Sequence, residues 1–548
     1  MASKGITSAQ SDFVSDYAPT RSGEEGAHIR DLPSASQRSP KWNVNSRAYL
    51  CAAIGFLGIF LFGYDAGLGG GVLVLPSFAS DFGIEGTAEH VADLQGNVVS
   101  IFQGGAFFGA LGSSPIMDKM GRKWSLMVGC VVFMIGGIVQ TVCFGNLNQF
   151  YIGRLVAGLG VGLMSSVCPT YSSEIAPKEI RGRVTGQFQV IVVTGVAISF
   201  WINYAVSLYP ASAGSLQWRV PIGFQLVPVG LMMILLPIMK ESPRWLATKD
   251  REDLALKNLA WLRKADEHDE YVLAEFAEIT AAIAEERAAT KGASWRECFS
   301  KGNPIRFGIA FVIFTLQQWS GQNSISYYAP TIFKAIGITG SSTSLLASGI
   351  YGIVKIISTG IFIAFGIERF GRKKPLAIGV AMMSGFLFII GAVFNTHPPV
   401  VGSGTVSSAS IAMAVMIYLF VIPYCFSVGP LPWVICAEIF NNRTRSYGLA
   451  LTASTQWFWN FVVSKCTPLM VIGMPKGGIF FFFAVINIVS FGLTLLLPET
   501  QGKSLEDMDL LFGSVTQEER DAGVARRAAE LHATEKMADE HEHVEDRK

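Results

Sequence analysis

Apolar runs of about twenty residues recur along the chain, each long enough to cross a hydrocarbon core of roughly 30 Å as a helix. They fall at 48–71, 95–116, 124–144, 148–171, 184–207, 218–239, 304–327, 345–367, 375–396, 409–433, 448–472 and 477–498. Six precede a long polar segment at 240–303 and six follow it. Within that segment, "EDLALKNLAWLRKAD" and "EYVLAEFAEITAAIAEERAAT" keep a helical spacing of apolar positions but are too polar to span, which predicts a small helical cap outside the bilayer. The pattern predicts an all-α polytopic membrane protein with twelve transmembrane helices in two six-helix halves. Its expected parts are a disordered tail (1–46), a first half (47–239), the helical loop (240–303), a second half (304–498) and a tail (499–548).

Composition agrees with that pattern. Of 548 residues, 50% are apolar and only 16% charged, against roughly 25% charged in soluble domains, and mean hydropathy is +0.39. A formal charge of +1 with no large basic domain gives no reason to expect a nucleic-acid partner. The eight cysteines stand singly, mostly in apolar runs, and read as small buried hydrophobes. No zinc-ligand histidine pair, nucleophile elbow or phosphate loop occurs, so neither an enzyme nor a cofactor or metal site is expected.

Loop charges orient the bundle. Lys119, Arg122 and Lys123 follow the second span, and Lys178, Arg181 and Arg183 the fourth. Arg369, Arg372, Lys373 and Lys374 follow the eighth, and Arg443 and Arg445 the tenth, while the alternate loops offer only Lys334 and Lys476. Both termini and the central loop are therefore expected in the cytoplasm, and nutrient uptake makes the plasma membrane the expected location. The sequon at Asn442 falls on the cytoplasmic side, where no glycan is expected.

Three motifs occur twice. "DKMGRK" matches "ERFGRK", with Arg122 and Arg372 250 positions apart, and "SEIAPKEIR" matches "AEIFNNRTR". In the second pair, Glu174 precedes Arg181 by seven residues, as Glu438 precedes Arg445. "KESPRW", with Glu241, closes the first half as "LPETQGKS" closes the second. Such spacing implies duplicated halves with a solute cavity between them near the midplane. Carboxylates and guanidinium groups at neighbouring helix ends are expected to latch the two halves together as a breakable gate.

One carboxylate lies inside an apolar run: Asp65, in "LFGYDAGLGGG". An acidic side chain there costs roughly 2.5–3.5 kcal/mol on insertion scales, so a partner is expected. Arg154 is the one basic residue deep in the first half. The first span runs outward and ends six residues after Asp65; the fourth runs inward and begins six residues before Arg154. At about 1.5 Å per residue both lie some 9 Å below the outer surface, at a shared depth. Pairing with Arg favours the ionised acid and desolvation opposes it. A pair tight in one state and loose in the other would carry a proton.

Amide side chains near the midplane suit a hydroxylated solute, since each offers donors and an acceptor, and an aromatic face packs against a sugar ring. Gln317 and Gln318 lie about 20 Å into the seventh span, with Gly321 and Asn323 following where glycine loosens the helix.

"GRK" twice, "GRLVAGLGVG", "SEIAPKEIRGR", "ESPRWL", "QQWSGQNSISYYAPTIF", "GPLPWVICAEIF" and "LPETQGKSLE" together resemble the sugar-porter family of the major facilitator superfamily, in its fungal branch. The resemblance runs from about Tyr49 to Asp509. It implies the major facilitator fold and a monosaccharide or polyol carried by alternating access. It implies proton coupling at Asp65 and Arg154, and sugar contacts from Gln189, Gln317, Gln318, Asn323, Trp433, Gln456 and Asn460. Tyr327 and Tyr328 match the aromatic pair of the outer gate. Trp457 and Trp459 are expected as packing or lipid-facing aromatics.

Where many members of that family carry an asparagine in the eighth span, this chain has Ile356, and beside it Lys355, near the midplane. Lys355 is too central to snorkel easily and needs a partner, for which a carboxylate on the solute is one candidate. The "GIYGIVK" stretch around it is similar to carriers of the quinate-permease type. A second lysine, Lys465, is expected deep in the eleventh span. The expected function is import of a hexose or pentose by proton symport. A sugar-acid or polyol symporter (quinate- or galacturonate-like), a passive facilitator and a non-transporting nutrient receptor are the alternatives. The expected partners are that small solute, protons and the lipid bilayer.

Overall fold

The computed structural model describes residues 42–209, 214–291, 295–300, 302–338, 340–365, 371–399, 406–441, 443–501, 508 and 511–512. Most of both tails, Glu368, Arg369 and Asn442 lie outside them. Among the described residues every regular element is a helix. The first half comprises α1 (Trp42–Leu73), a short α2 (Pro76–Phe82), α3 (Ala88–Met120), α4 (Arg122–Thr141), α5 (Leu147–Ile175), α6 (Lys178–Ser207), and a sixth span made of α7 (Leu216–Phe224) and α8 (Leu226–Leu235). The central segment folds as α9 (Pro243–Thr248), α10 (Glu252–Arg263) and α11 (Glu270–Thr290). The second half begins with a seventh span in three pieces, α12 (Asn303–Gln318), α13 (Gln322–Tyr327) and α14 (Ala329–Ala335). It continues through α15 (Ser341–Phe365), α16 (Lys373–Thr396), a tenth span of α17 (Ser408–Phe426) and α18 (Leu431–Ile439), α19 (Arg445–Gly473) and α20 (Gly478–Leu496). The twelve spans form two six-helix halves.

Several helices outrun the apolar stretches that reveal them: α1 has 32 residues and α3 has 33. Hydropathy marks the lipid-facing part of a helix, whereas capping sets its end. Thr87 Oγ1 accepts from the His90 N–H at the start of α3, and Asn146 Oδ1 accepts from Asn148 and Gln149 at the start of α5. Among the described residues nine stretches are long and apolar enough to cross a membrane on composition alone. The second, seventh and eleventh spans are not among them. The seventh is broken, and the second and eleventh carry Asp93, Asn97, Gln456, Asn460 and Lys465.

The breaks have local causes. Gly321 sits at φ +92°, a left-handed conformation that ends α12 and restarts the chain as α13; a Cβ there would also press on the Phe483 ring at 3.0 Å. Pro330 and Pro432 occupy the first turns of α14 and α18, where their missing N–H groups cost nothing. Close helix packing depends on small residues. A Cβ on Gly105 would lie 2.3 Å from the Leu155 carbonyl oxygen, and one on Gly158 2.2 Å from that of Phe102, so α3 and α5 meet backbone to backbone.

The halves meet along α3 with α19, α6 with α15, and α1 with α13. The central helices dock on the first half: Arg263 Nη1 donates to the Ile175 carbonyl (3.0 Å), Arg47 to that of Trp261 (2.9 Å), and Lys178 pairs with Glu278 (2.6 Å). A 3-10 turn at Trp295–Phe299 carries Glu297, which pairs with Arg443 (2.7 Å) just before α19.

Candidate functional site

A cavity of about 450 Å³ lies between the halves, near their middle. Gln189 on α6 lines it from the first half; Gln317, Asn323, Lys355, Trp433, Gln456 and Asn460 line it from the second. The structure thus brings together seven of the eight side chains expected at the solute. Gln318 stands behind the wall, fully buried, its Nε2 donating to Gln456 Oε1 (2.5 Å) and its Oε1 accepting from Asn323 Nδ2. Its geometry orients two wall amides rather than facing the cavity.

The broken tenth span supplies another constraint. Carbonyls of Val428 and Gly429, left free by the interruption before α18, accept from Gln317 Nε2 at 2.7 and 3.2 Å. That turns Gln317 Oε1 away from them, and it has no protein donor; Asn460 Oδ1, also on the wall, has none either.

Ser326, Tyr424 and Trp457 also line the cavity. Trp457 packs, 5% exposed and edge-on to Phe62 of the other half at 5.1 Å, and it also forms part of the cavity wall, which was not expected. The signal was in the spacing. Ser446, Leu449, Ala450, Ala453, Gln456, Trp457 and Asn460 make one helical stripe, and all line the cavity. Trp459 does pack, against Trp319 at 5.9 Å.

One end of the cavity reaches the charge motifs, through Ser114 and Met117 on α3, Thr170 on α5 and Ser446 on α19. Tyr327 closes the other end, where a Cβ on Gly70 of α1 would fall 1.8 Å from the Tyr327 carbonyl oxygen. Tyr328 is buried beside it, its hydroxyl donating to the Ser464 carbonyl (2.6 Å). Further contacts join the halves at this closed end. Ser341 Oγ donates to the Val74 carbonyl (2.9 Å), and Lys465 Nζ pairs with Asp93 (2.6 Å) and reaches Asn97 Oδ1. Lys465 is therefore not deep in its span: it is 29% exposed and reaches across the half-to-half seam.

Asp65 and Arg154 meet at the depth their positions implied. Arg154 grips both carboxylate oxygens, Nη1 to Oδ1 and Nη2 to Oδ2 (3.2 Å for the latter). Its Nε donates to the Val98 carbonyl (2.9 Å), and its guanidinium lies 4.8 Å from the Phe102 ring centroid. Each member is 1% exposed. Ala66, the next residue, is on the cavity wall.

The charge motifs pair differently from the spacing argument. Glu174 accepts from Arg122 (2.7 Å), and Glu438 from Arg372 (3.1 Å). Arg181 and Arg445 donate instead to the carbonyls of Ala176 (3.4 Å) and Ala437 (3.0 Å) at their own helix junctions. Each of these carboxylate pairs lies inside one half, so in this structure they brace the halves singly rather than latch them together. The duplication extends further. Glu241 accepts from the backbone N–H groups of Arg122 (2.8 Å) and Lys123 (3.2 Å), and Glu499 from those of Arg372 (2.9 Å) and Lys373 (3.1 Å). Each carboxylate satisfies the open N-terminus of a helix, α4 or α16, across a glycine with positive φ, Gly121 or Gly371. Burial pushes the Glu241 carboxyl up despite three backbone donors; at the more exposed Glu499 the backbone donors outweigh burial and hold it down. Glu241→Ala is expected to cost about 1.5–3 kcal/mol, seen as a lower thermal-unfolding midpoint.

The family described as "Sugar (and other) transporter" matches residues 50–512. The chain belongs to that family. It is 38% identical over 497 residues to a probable quinate permease of Neosartorya fischeri, covering 89% of this chain and 90% of that one. It is 37% identical over 488 residues to a quinate permease of Neurospora africana, covering 86% and 90%. Among solved structures, an inward open conformation of the xylose transporter XylE from E. coli superposes with a TM-score of 0.70 at 25% identity, covering 85% of this chain and 99% of that one. The proton:xylose symporter XylE bound to 6-bromo-6-deoxy-D-glucose gives 0.70 at 26% identity, covering 86% and 100%. This sugar-transporter family member is a multi-pass membrane transporter and not an enzyme.

Proposed function

We propose that this transporter imports a monosaccharide-sized, hydroxyl-rich solute by proton symport and alternating access. The observation that carries the reading is the amide-walled cavity, which reaches toward the charge motifs at one end and meets Tyr327 at the other. Gln189, Gln317, Asn323, Gln456 and Asn460 hydrogen-bond the solute, Trp433 packs on it, and Gln318 positions two of the amides. Tyr327 and Tyr328 close the outer gate. The charged end is cytoplasmic, as are both termini, and the membrane is the plasma membrane. The halves, 47–239 and 304–498, move as units about the cavity. Arg122 with Glu174, Arg372 with Glu438, and Glu241 keep the cytoplasmic helix ends in register, while Arg181 and Arg445 hold the adjoining junctions.

Asp65 is the proton carrier. Ion-paired to Arg154 with the Tyr327 end shut, it is the form left after proton release. Rearrangement about the first and fourth spans loosens the pair in the outward-facing state, where the acid takes up a proton. Expression in a transporter-null cell, offered labelled glucose, xylose, galacturonate and quinate, tests the reading. Uptake with external alkalinisation is the expected result. Uptake without pH change would make the protein a passive facilitator, and binding without uptake a receptor.

Lys465 and Asp93 help hold the outer end shut. Both are partly exposed, so the pair is worth about 0.2–1 kcal/mol. A cysteine replacing Ala66 on the cavity wall is expected to react with an externally added, membrane-impermeant maleimide up to about fivefold faster in Asp93→Asn. The charge-reversed pair Asp93→Lys with Lys465→Asp should restore the slower rate.

A further inference from the structure

We propose that Lys355 is the binding site for a carboxylate on the cargo, so that the preferred solute is a polyhydroxylated organic acid anion rather than a neutral sugar. This deepens the transport reading above and rests on the cavity being the solute site.

Lys355 projects from the middle of α15 into the cavity wall and is 6% exposed. Its ammonium has three protons to donate. Ser326 Oγ takes one at 3.1 Å. Around it stand the rings of Tyr351 and Tyr424, with centroids 6.0 and 5.8 Å away, at the outer limit for a cation–π contact. No described carboxylate pairs with it. Two other cations inside the spans are paired: Arg154 is gripped by Asp65, and Lys465 by Asp93. A buried charge is retained where something neutralises it, and the open face of Lys355 is the cavity.

The other polar groups on the wall suit the hydroxyls of the cargo. Gln317 Oε1 and Asn460 Oδ1, on two lining residues, are buried acceptors without protein donors. For Gln317 the orientation is enforced, because its Nε2 is held by the carbonyls of Val428 and Gly429. Acceptors repel a carboxylate and welcome hydroxyls. Lys355 adds charged donors to the same cavity. Ser326 is itself braced there by Tyr351 (3.1 Å) and by Gln322 (3.0 Å), so the lysine head has a fixed neighbour. A solute carrying both a carboxylate and hydroxyls answers the lysine and the lining amides together, whereas a neutral sugar leaves the ammonium unanswered.

The test is binding to the purified full-length chain, read by thermal shift and by quenching of intrinsic tryptophan fluorescence. The probes are galacturonate, quinate, the methyl ester of each, and galactose. Wild type is expected to bind at least one acid about tenfold or more tighter than its ester, the size of one charge-assisted hydrogen bond. Lys355→Gln should bring that acid down to the level of its ester while leaving the ester unchanged, and Lys355→Arg should keep the preference. Equal affinity of wild type for acids and esters overturns the inference, and so does a Lys355→Gln variant that weakens acid and ester alike, the mark of a structural role. Binding of galactose without either acid sinks the carboxylate site but leaves the transport reading standing. Binding of none of the probes sinks both. If Lys355→Gln does not fold, the acid-to-ester ratio of the wild type decides alone.

Discussion

Asp65→Asn abolishes uphill accumulation and substrate-induced alkalinisation, while exchange of labelled for unlabelled solute across a vesicle membrane continues: this is the expected result at the first helix. The asparagine keeps an acceptor for Arg154 but cannot take up and release a proton. Coupling is lost, and rocking of the loaded carrier is not. Inside-to-outside solute ratios should therefore settle at equilibrium even under a proton gradient. Asp65→Ala is a different experiment. It leaves the buried guanidinium with neither a counter-charge nor an acceptor in its place, at a cost of about 3–5 kcal/mol, so less folded protein should reach the membrane. Unchanged accumulation in Asp65→Asn would remove this residue from the coupling mechanism.

A side chain added at Gly70 should be almost as damaging, and for a steric reason. A Cβ there lies 1.8 Å from the Tyr327 carbonyl oxygen, a backbone atom of the other half that cannot rotate away. Valine would wedge α1 from α13 at the closed end. With overpacking worth about 1–3 kcal/mol, Gly70→Val should lower transport by roughly fivefold to a hundredfold or more. Expression and thermal stability should stay near wild type, because the wedge is relieved when the halves part at that end. Gly63→Val is the control. Its Cβ would meet the Val192 carbonyl oxygen at 1.9 Å inside the first half, a clash that no rocking of the halves relieves, so that variant should fail to fold. Normal transport by Gly70→Val would show that this end need not close tightly.

Depth along a helix is legible in a sequence, and contact across a bundle is much less so. Asp65 and Arg154 could be matched because rise per residue and the alternating direction of spans place both on one scale. The cavity amides were legible for a similar reason: polar side chains at mid-depth have few places to go except inward. The charge motifs show the limit. Glu174 and Arg181 are seven residues apart, which says nothing about which helix ends are neighbours. In the fold, Arg122 reaches Glu174 first, and Arg181 turns to a carbonyl. Gln318 is expected at the solute from its depth and from the family resemblance, yet adjacent residues on a helix point about 100° apart, and it faces Gln456 and Asn323 from behind. Lys465 looked deep when judged by its apolar neighbours. The close approach of α19 to Gly96 on α3, which brings it to Asp93, is a tertiary fact with no local signature.

The central segment touches both halves, mostly the first. It is fastened to the first half by Arg263, Lys178 and Arg47, and Arg443 with Glu297 forms an exposed link on the side of the second half. A fluorophore on Glu285 of α11 would travel with the first half, and one on Lys374 at the start of α16 with the second; both positions are exposed. Energy transfer between them would report the swing of one half against the other in a single molecule, without a label in the path of the cargo.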